Sequence, residues 1–267
     1  MRQYSAVFRL RFIYTLQYRA AAAAGLATQF TWGFMEILAY AAFYRANPSA
    51  FPMTFSQTVS YIWIQQAFLA LFFVWAWDND IASSIENGFI AYELARPTEL
   101  YVRWFSQLTA NRLAQAALRC SPVLIVAFII PKPYRMVLPS DMAQLLLFIV
   151  SMALALLAVV SFSMLMYITL FYTLSSVGVR TIAGTLGEFL AGGIIPLPFF
   201  PSRVRNIVEL LPFAAMQNMP LRIYSGDIAG YAALRGIGLQ IFWIAVLTLA
   251  GRRIMKNALK KVVVQGG

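Results

Sequence analysis

The sequence predicts an all-α integral membrane protein with six transmembrane helices in a single domain, and three observations carry that prediction. The chain of 267 residues is 61% hydrophobic and 12% charged, with a mean hydropathy of +0.70, too little polar material to cover a soluble globule. Its apolar residues gather into six runs. At about 1.5 Å per helical residue, these runs cover most or all of a hydrocarbon core roughly 30 Å thick. Prolines, glycines and charges collect between the runs, where turns belong.

Residues 1–19 interleave Arg2, Arg9, Arg11 and Arg19 with Tyr4, Phe8 and Phe12 at intervals of four, a pattern that predicts an interfacial helix. Arg9, Arg11, Gln17 and Arg19 interrupt any apolar core ahead of the alanines at 20–24, so no cleaved leader is expected. Spans are expected at about 26–44 and 59–77, joined by a turn through Pro48 and Pro52. Trp75 and Trp77 fall at the inner end of the second, where amphipathic rings favour the interface. A third span, about 113–130, ends at Pro131-Lys132-Pro133, and a fourth, about 142–172, is long enough to tilt or to project beyond the bilayer. A tight turn over 173–180 leads to the fifth, about 182–200. Its end, from Gly192-Gly193 through Pro196, Pro198 and Pro201, cannot remain a regular helix. Broken backbone at that depth is tolerated only beside protein or a water-filled cavity. Residues 201–235 form an external loop with a short half-buried helix around Leu210, Leu211, Phe213 and Met216. The sixth span, about 236–250, precedes a basic tail of Arg252, Arg253, Lys256, Lys260 and Lys261.

Orientation follows from the basic residues. The head, the 96–119 segment, Arg180 and the tail hold 14 of the 21 lysines and arginines, so the positive-inside rule places both termini in the cytoplasm. The same topology explains the net charge of +11, and nucleic acid is not an expected partner.

The stretch 78–104 interrupts the apolar chain and holds five of its ten acidic residues. Ile81, Ile85, Phe89 and Tyr92 are spaced four, four and three apart and so share one helical face. Gly88 should divide the stretch into two short helices and Pro97 should stop the second. Anionic lipid repels an acidic surface helix, which favours docking to a partner over simple attachment to the membrane surface.

Chemistry of its own is hard to find in this chain. It has no histidine and one cysteine, Cys120, which removes conventional triads, multi-cysteine metal sites and the commonest general base. No phosphate-binding loop ends in one of its lysines, so it cannot hydrolyse nucleotide alone. Catalytic and metal-binding residues are therefore expected to be absent.

The run Ile85-Glu86-Asn87-Gly88-Phe89-Ile90-Ala91-Tyr92-Glu93-Leu94-Ala95-Arg96-Pro97 resembles the segment after the second span of ABC-2 type permeases, where a glycine, a short coupling helix and an Arg-Pro stop recur. Gly193, Pro196, Pro201, Leu211-Pro212 and Gly226 are similar to that family's fifth-span exit and external helix, and the resemblance covers essentially the whole chain. It implies the ABCG-like, type V exporter fold and a half-transporter in a prokaryotic plasma (inner) membrane. Two permease chains, identical or paralogous, would surround a path lined mainly by the second and fifth spans. Two separately encoded ABC ATPase subunits would bind ATP and Mg, this chain binding no cofactor. Glu86, Gly88, Phe89, Tyr92, Glu93 and Arg96 would sit in a cleft of the ATPase. Hydrophobic drugs, antimicrobial peptides and lipid-linked glycans all remain open as cargo.

Intramembrane ionisable groups are functional candidates by default. Glu36 and Glu188, with Trp63, Gln65 and Gln66, are candidates for the substrate path; Gly193, Pro196, Pro198 and Pro201 are candidates for an external gate. Plainer readings stand beside these: Glu188 paired with Arg180, the glutamines as helix-packing hydrogen bonds, the prolines as a structural turn. A stand-alone proton-coupled transporter using Glu36 and Glu188 is the alternative function, although no internal repeat supports it.

Overall fold

A computed structural model describes residues 2–47, 51–173 and 175–260, the side chain of Ala21 aside; Pro48 and Lys261 lie outside the described residues. Among those residues every regular element is helical. In chain order they are α1 (Arg2–Leu16), α2 (Arg19–Ala46), α3 (Phe55–Ala67), α4 (Leu69–Phe72), α5 (Asn79–Glu86), α6 (Ile90–Leu94), α7 (Leu100–Ile129), α8 (Met142–Thr173) and α9 (Ser176–Leu190). A single 3-10 turn (Leu197–Phe199), α10 (Ser202–Val208), α11 (Pro212–Met216), α12 (Asn218–Ser225) and α13 (Gly230–Leu259) complete the chain.

Three of these, α7, α8 and α13, are long and apolar enough to cross a membrane by length and composition. The other expected crossings differ for physical reasons. Helix α2 has the length, at 28 residues, but carries Gln29, Thr31 and Glu36 along its middle. Helices α3 and α9 have only 13 and 15 residues, so each alone spans roughly 20 Å, short of the core thickness.

The expected second span is interrupted. Helix α3 stops at Ala67, α4 is one turn, and the chain then runs without helix from Phe73 to Trp77. A helix end leaves carbonyls without partners, and Arg112 of α7 supplies the donors. Its Nη1 donates to the carbonyls of Phe73 at 2.6 Å, Ala70 at 3.4 Å and Leu71 at 3.5 Å, and Nη2 donates to Ser163 Oγ at 3.1 Å.

The third helix starts at Leu100, well ahead of the expected 113, because its polar first half is matched by neighbours. Helix α1 runs alongside it in the same direction: Glu99 N donates to Tyr4 Oη at 3.0 Å, and Thr15 Oγ1 donates to Asn111 Oδ1 at 2.9 Å. The N-terminal helix is therefore packed on α7 along its length and is not a solitary surface helix. The turn before α9 is likewise shorter than expected, because Val177 to Arg180 are already helical.

Helix α8 is the hub, touching α4, α5, α7, α9, α11, α12 and α13. Tyr167 of α8, with Trp63, Trp104 and Phe72, is among the largest fully buried side chains. The start of α8 is fixed by Asp141, whose Oδ1 accepts from Gln144 N at 2.8 Å, while Gln144 Nε2 donates to the carbonyl of Ile223 at 2.7 Å and so ties in α12. That backbone hydrogen bond from Gln144 holds the Asp141 carboxyl below the usual aspartate range.

Arg112→Leu should lower stability by about 2–3 kcal/mol by leaving buried carbonyls unpaired, and Ser163→Ala by about 1 kcal/mol. Thermal unfolding in mild detergent compares the two, and equal small losses would remove Arg112 from its central place. The contribution of Asp141 has the sign of a depressed carboxylate: it is fully present above the unfolded-state value and disappears as pH falls through the lower folded-state value. Acidification below the ordinary aspartate range should thus raise amide exchange at Gln144, corrected for intrinsic rates, and Asp141→Ala should show the same excess exchange at neutral pH.

Candidate functional site

Gly88, at φ +75°, takes the left-handed conformation that other residues resist, and it turns the chain between α5 and α6. This separates side chains that an uninterrupted helix would align. Ile81 and Ile85 are buried in contact with the core, whereas Phe89 and Tyr92 are 57% and 73% exposed. The single apolar face expected over these four residues is accordingly two faces: one packs inward, the other is presented outward with Leu94 and Arg96.

The acidic residues around this tip all have partners within the chain. Asp78 caps α5, its Oδ1 accepting from Asp80 N at 3.1 Å and Ile81 N at 3.3 Å; its Oδ2 accepts from Gln107 Nε2 at 3.0 Å and Asn111 Nδ2 at 2.8 Å. Asp78 N also donates to Tyr167 Oη at 2.6 Å. Asp80 pairs with Arg11 of α1 at 2.6 Å. Glu93 accepts from Arg103 Nη2 at 2.5 Å and Trp104 Nε1 at 3.1 Å, with the two charged side chains 20% and 8% exposed. Glu99 lies 3.8 Å from Arg252 of α13. Glu86, itself exposed, accepts from Ser176 N at 2.8 Å, which sets a carboxylate at the positive end of α9.

Sequence reasoning passed over Arg103, Gln107 and Asn111. They recur every four residues on α7 and become visible as one polar face once that helix is extended back to Leu100. It also passed over Ser176, for which spacing gives no signal.

The segment leading into α5 lies against α9. A Cβ on Gly184 would stand 2.9 Å from Trp75 Cβ, and one on Gly187 would stand 2.9 Å from Val74 Cγ1, so the two chains meet closer than larger residues permit. Glu188 and Arg180 form no ion pair; both line a cavity of about 470 Å³ with Trp75, Ser176, Thr181 and Thr185.

The remaining path candidates lie on α2 and α3. Trp63 is fully buried and donates from Nε1 to the carbonyl of Tyr134 at 3.0 Å. Gln29, which sequence reasoning also passed over, donates to the carbonyl of Gln66 at 3.0 Å. Four acceptor oxygens, Oε1 of Gln29, Glu36, Gln65 and Gln66, are buried without a hydrogen-bond partner among the described residues. Chemically, they suit a solute that brings donors or positive charge.

At the exit, Gly192 adopts φ +81° and the helix unwinds. Its carbonyl accepts from Tyr61 Oη at 3.3 Å and Gln217 Nε2 at 3.4 Å, and the Gly193 carbonyl accepts from Gln65 Nε2 at 2.8 Å. Pro196 and Pro198 are buried, Pro201 is exposed, and Phe199 packs 5.2 Å from Tyr40 of α2. The carbonyls of Gly192 and Gly193 are thus satisfied by protein, while Ile194 and Ile195 just beyond them are exposed.

Comparison with known protein families matches the chain over residues 30–266 to the family described as ABC-2 family transporter protein. No curated protein matches it.

Removing the Glu93 carboxylate should leave Arg103 and Trp104 without their acceptor. Glu93→Ala is expected to cost about 2–3 kcal/mol, and adding Arg103→Met should recover part of that loss. Thermal unfolding of the single and double variants tests this; a double variant no better than the single one would contradict the pairing.

Proposed function

The chain belongs to the ABC-2 transporter family, and from that premise we propose that it is the permease subunit of an ATP-driven exporter. In this reading α2, the α3–α4 pair and α9 with its unwound exit complete six crossings beside α7, α8 and α13. A second permease chain, identical or paralogous, completes the path, and two ABC ATPase subunits carry ATP and Mg. The membrane is a prokaryotic plasma membrane, with both termini in the cytoplasm.

The observation that carries the proposal is the tip at Gly88–Arg96. Phe89, Tyr92 and Leu94 are exposed on a turn whose base is anchored by Glu93 and Asp78 to α7. Isolated apolar side chains on a surface mean little; a cluster on a braced turn, next to an exposed Arg96, is suited to insertion in a partner's cleft. ATP-driven closure of that cleft would press on α5 and α6. The push has two outlets, through Trp77, whose ring lies tilted with its centroid 4.5 Å from that of Tyr167 of α8, and through the Glu86 to Ser176 hydrogen bond into α9. Glu36, Gln65, Gln66 and Trp63 would lie along the path, with Glu188 on the α9 side and the Gly193–Pro201 segment as its external gate.

Purification of the tagged chain from its own membrane, followed by mass spectrometry of stoichiometric partners and an ATPase assay, tests the reading. A nucleotide-binding subunit should co-purify with wild type and be lost from Phe89→Ala/Tyr92→Ala, in which only exposed side chains change. Gly88→Pro, which cannot adopt a positive φ, should keep the protein inserted but uncouple ATP hydrolysis from transport. Recovery of the chain alone, without ATPase activity, would refute the proposal.

A further inference from the structure

We propose that the chain binds a phosphate-bearing anion, either an acidic phospholipid headgroup or free phosphate, in a cavity between α1, α2 and α7 that Arg119 lines. The cavity has a volume of about 450 Å³, and its polar lining includes Arg11, Tyr14, Tyr18, Arg112 and Gln115 besides Arg119. That volume falls in the usual range of small-molecule sites.

The argument is one of charge. Two carboxylates, Asp78 and Asp80, also line the cavity, but both are committed. Asp80 is paired with Arg11, and the oxygens of Asp78 are taken by the α5 backbone, Gln107 and Asn111. Arg112 donates only to neutral acceptors, three carbonyls and Ser163, as Asp78 accepts only from neutral donors, so these two opposite charges offset one another in the cavity lining and Arg119 is left as the charge in excess. Arg119 has neither ion pair nor hydrogen bond among the described residues, and its Nε is buried without a partner.

A guanidinium does not discharge by losing its proton. On a helix with the length and composition of a membrane span, an unpaired one is costly. Gly25 lets α2 lie directly on it, since a Cβ there would stand 2.9 Å from Arg119 Cζ. The guanidinium of Arg119 therefore rests against the α2 backbone at Gly25.

The geometry also selects the ligand. Arg112, Gln115 and Arg119 recur at three and four residues on one face of α7, so the two cations stand about 10 Å apart along the helix axis. Arg119 thus reaches deeper than Arg112 from the level where α1 ends and α2 begins. A phosphate accepts from a guanidinium through two oxygens at once, and the hydroxyls of Tyr14 and Tyr18, hydrogen-bonded to each other at 2.5 Å, keep one O–H between them to donate at the cavity wall. The one positive charge in excess in the lining disfavours cations and metals. In a bilayer the phosphate carried by an acidic lipid is the anion present at this level. The inference does not depend on an ATPase partner.

Native mass spectrometry of the full chain during controlled delipidation, with phosphatidylglycerol, phosphatidylcholine or inorganic phosphate supplied in turn, tests it. Wild type should retain phosphatidylglycerol in preference to phosphatidylcholine. Arg119→Gln should lower that retention roughly tenfold or more, the worth of a charge-assisted hydrogen bond. Arg235→Gln, at an exposed arginine of α13 outside the cavity, should leave it unchanged. Arg119-dependent binding of inorganic phosphate without lipid preference would support the site with free phosphate as its ligand. Equal retention of both lipids by wild type with no phosphate binding would overturn the proposal whether or not the variant folds, and so would unchanged retention in a folded Arg119→Gln.

Discussion

A carbonyl left unpaired away from water must find a donor, and this requirement governs both places where the helices of this protein break. At Phe73 the donor is an arginine; at Gly192 and Gly193 it is a tyrosine and two glutamines. The difference matters. Arg112 gathers several carbonyls with one planar group, so the first break is held at a single point. The exit is held by separate side chains from α3 and from Gln217, each with one modest bond, and its parts can exchange partners one at a time. Carbonyls paired in this way are compatible with a membrane interior, because they need no water to satisfy them.

The two breaks are also joined. Unwinding after α4 brings Val74 and Trp75 against the glycine face of α9, and α9 ends in the second break. Regular helices in both positions would give α9 no close neighbour there, since the approach at Gly184 and Gly187 depends on a non-helical chain fitting where a helix's side chains would collide. The first break and α9 are thereby in direct contact. What the packing supplies is contact and order, and a transport cycle built on it remains the proposal made above.

Helix positions were the most legible part of the sequence. The apolar run at 142–172 has no internal charge, and α8 spans Met142–Thr173. Legibility fell where polar residues were satisfied by distant partners. Arg103, Gln107 and Asn111 look like the residues of an exposed loop until Glu93, Asp78 and Thr15 are placed opposite them. Gly88 and Gly192 were readable as breaks from composition, but the positive φ at each, which sets the direction of the chain beyond, was not. Of the path candidates, Gln65 is tied to the exit through its Nε2, whereas Glu36 shows no tie among the described residues, and the Oε1 of each is unpaired there; one sequence cannot separate two such polar residues in similar apolar surroundings.

The acidic residues of the 78–104 stretch invite a different conclusion in sequence from the one the structure supports. Five carboxylates beside an exposed helix suggest a charged surface offered to a partner. Each is instead directed to another part of the same chain: Asp80 to α1, Asp78 and Glu93 to α7, Glu86 to α9 and Glu99 to α13. Paired in this way they brace the tip; under the docking proposed above a brace is what a pushed element needs, because a freely hinged helix would dissipate the push in its own rotation. The groups left over at the tip are Phe89, Tyr92, Leu94 and Arg96. A cleft that receives them should therefore be apolar at its floor and acidic at its rim, the reverse of the basic cleft that the acidic composition alone would suggest.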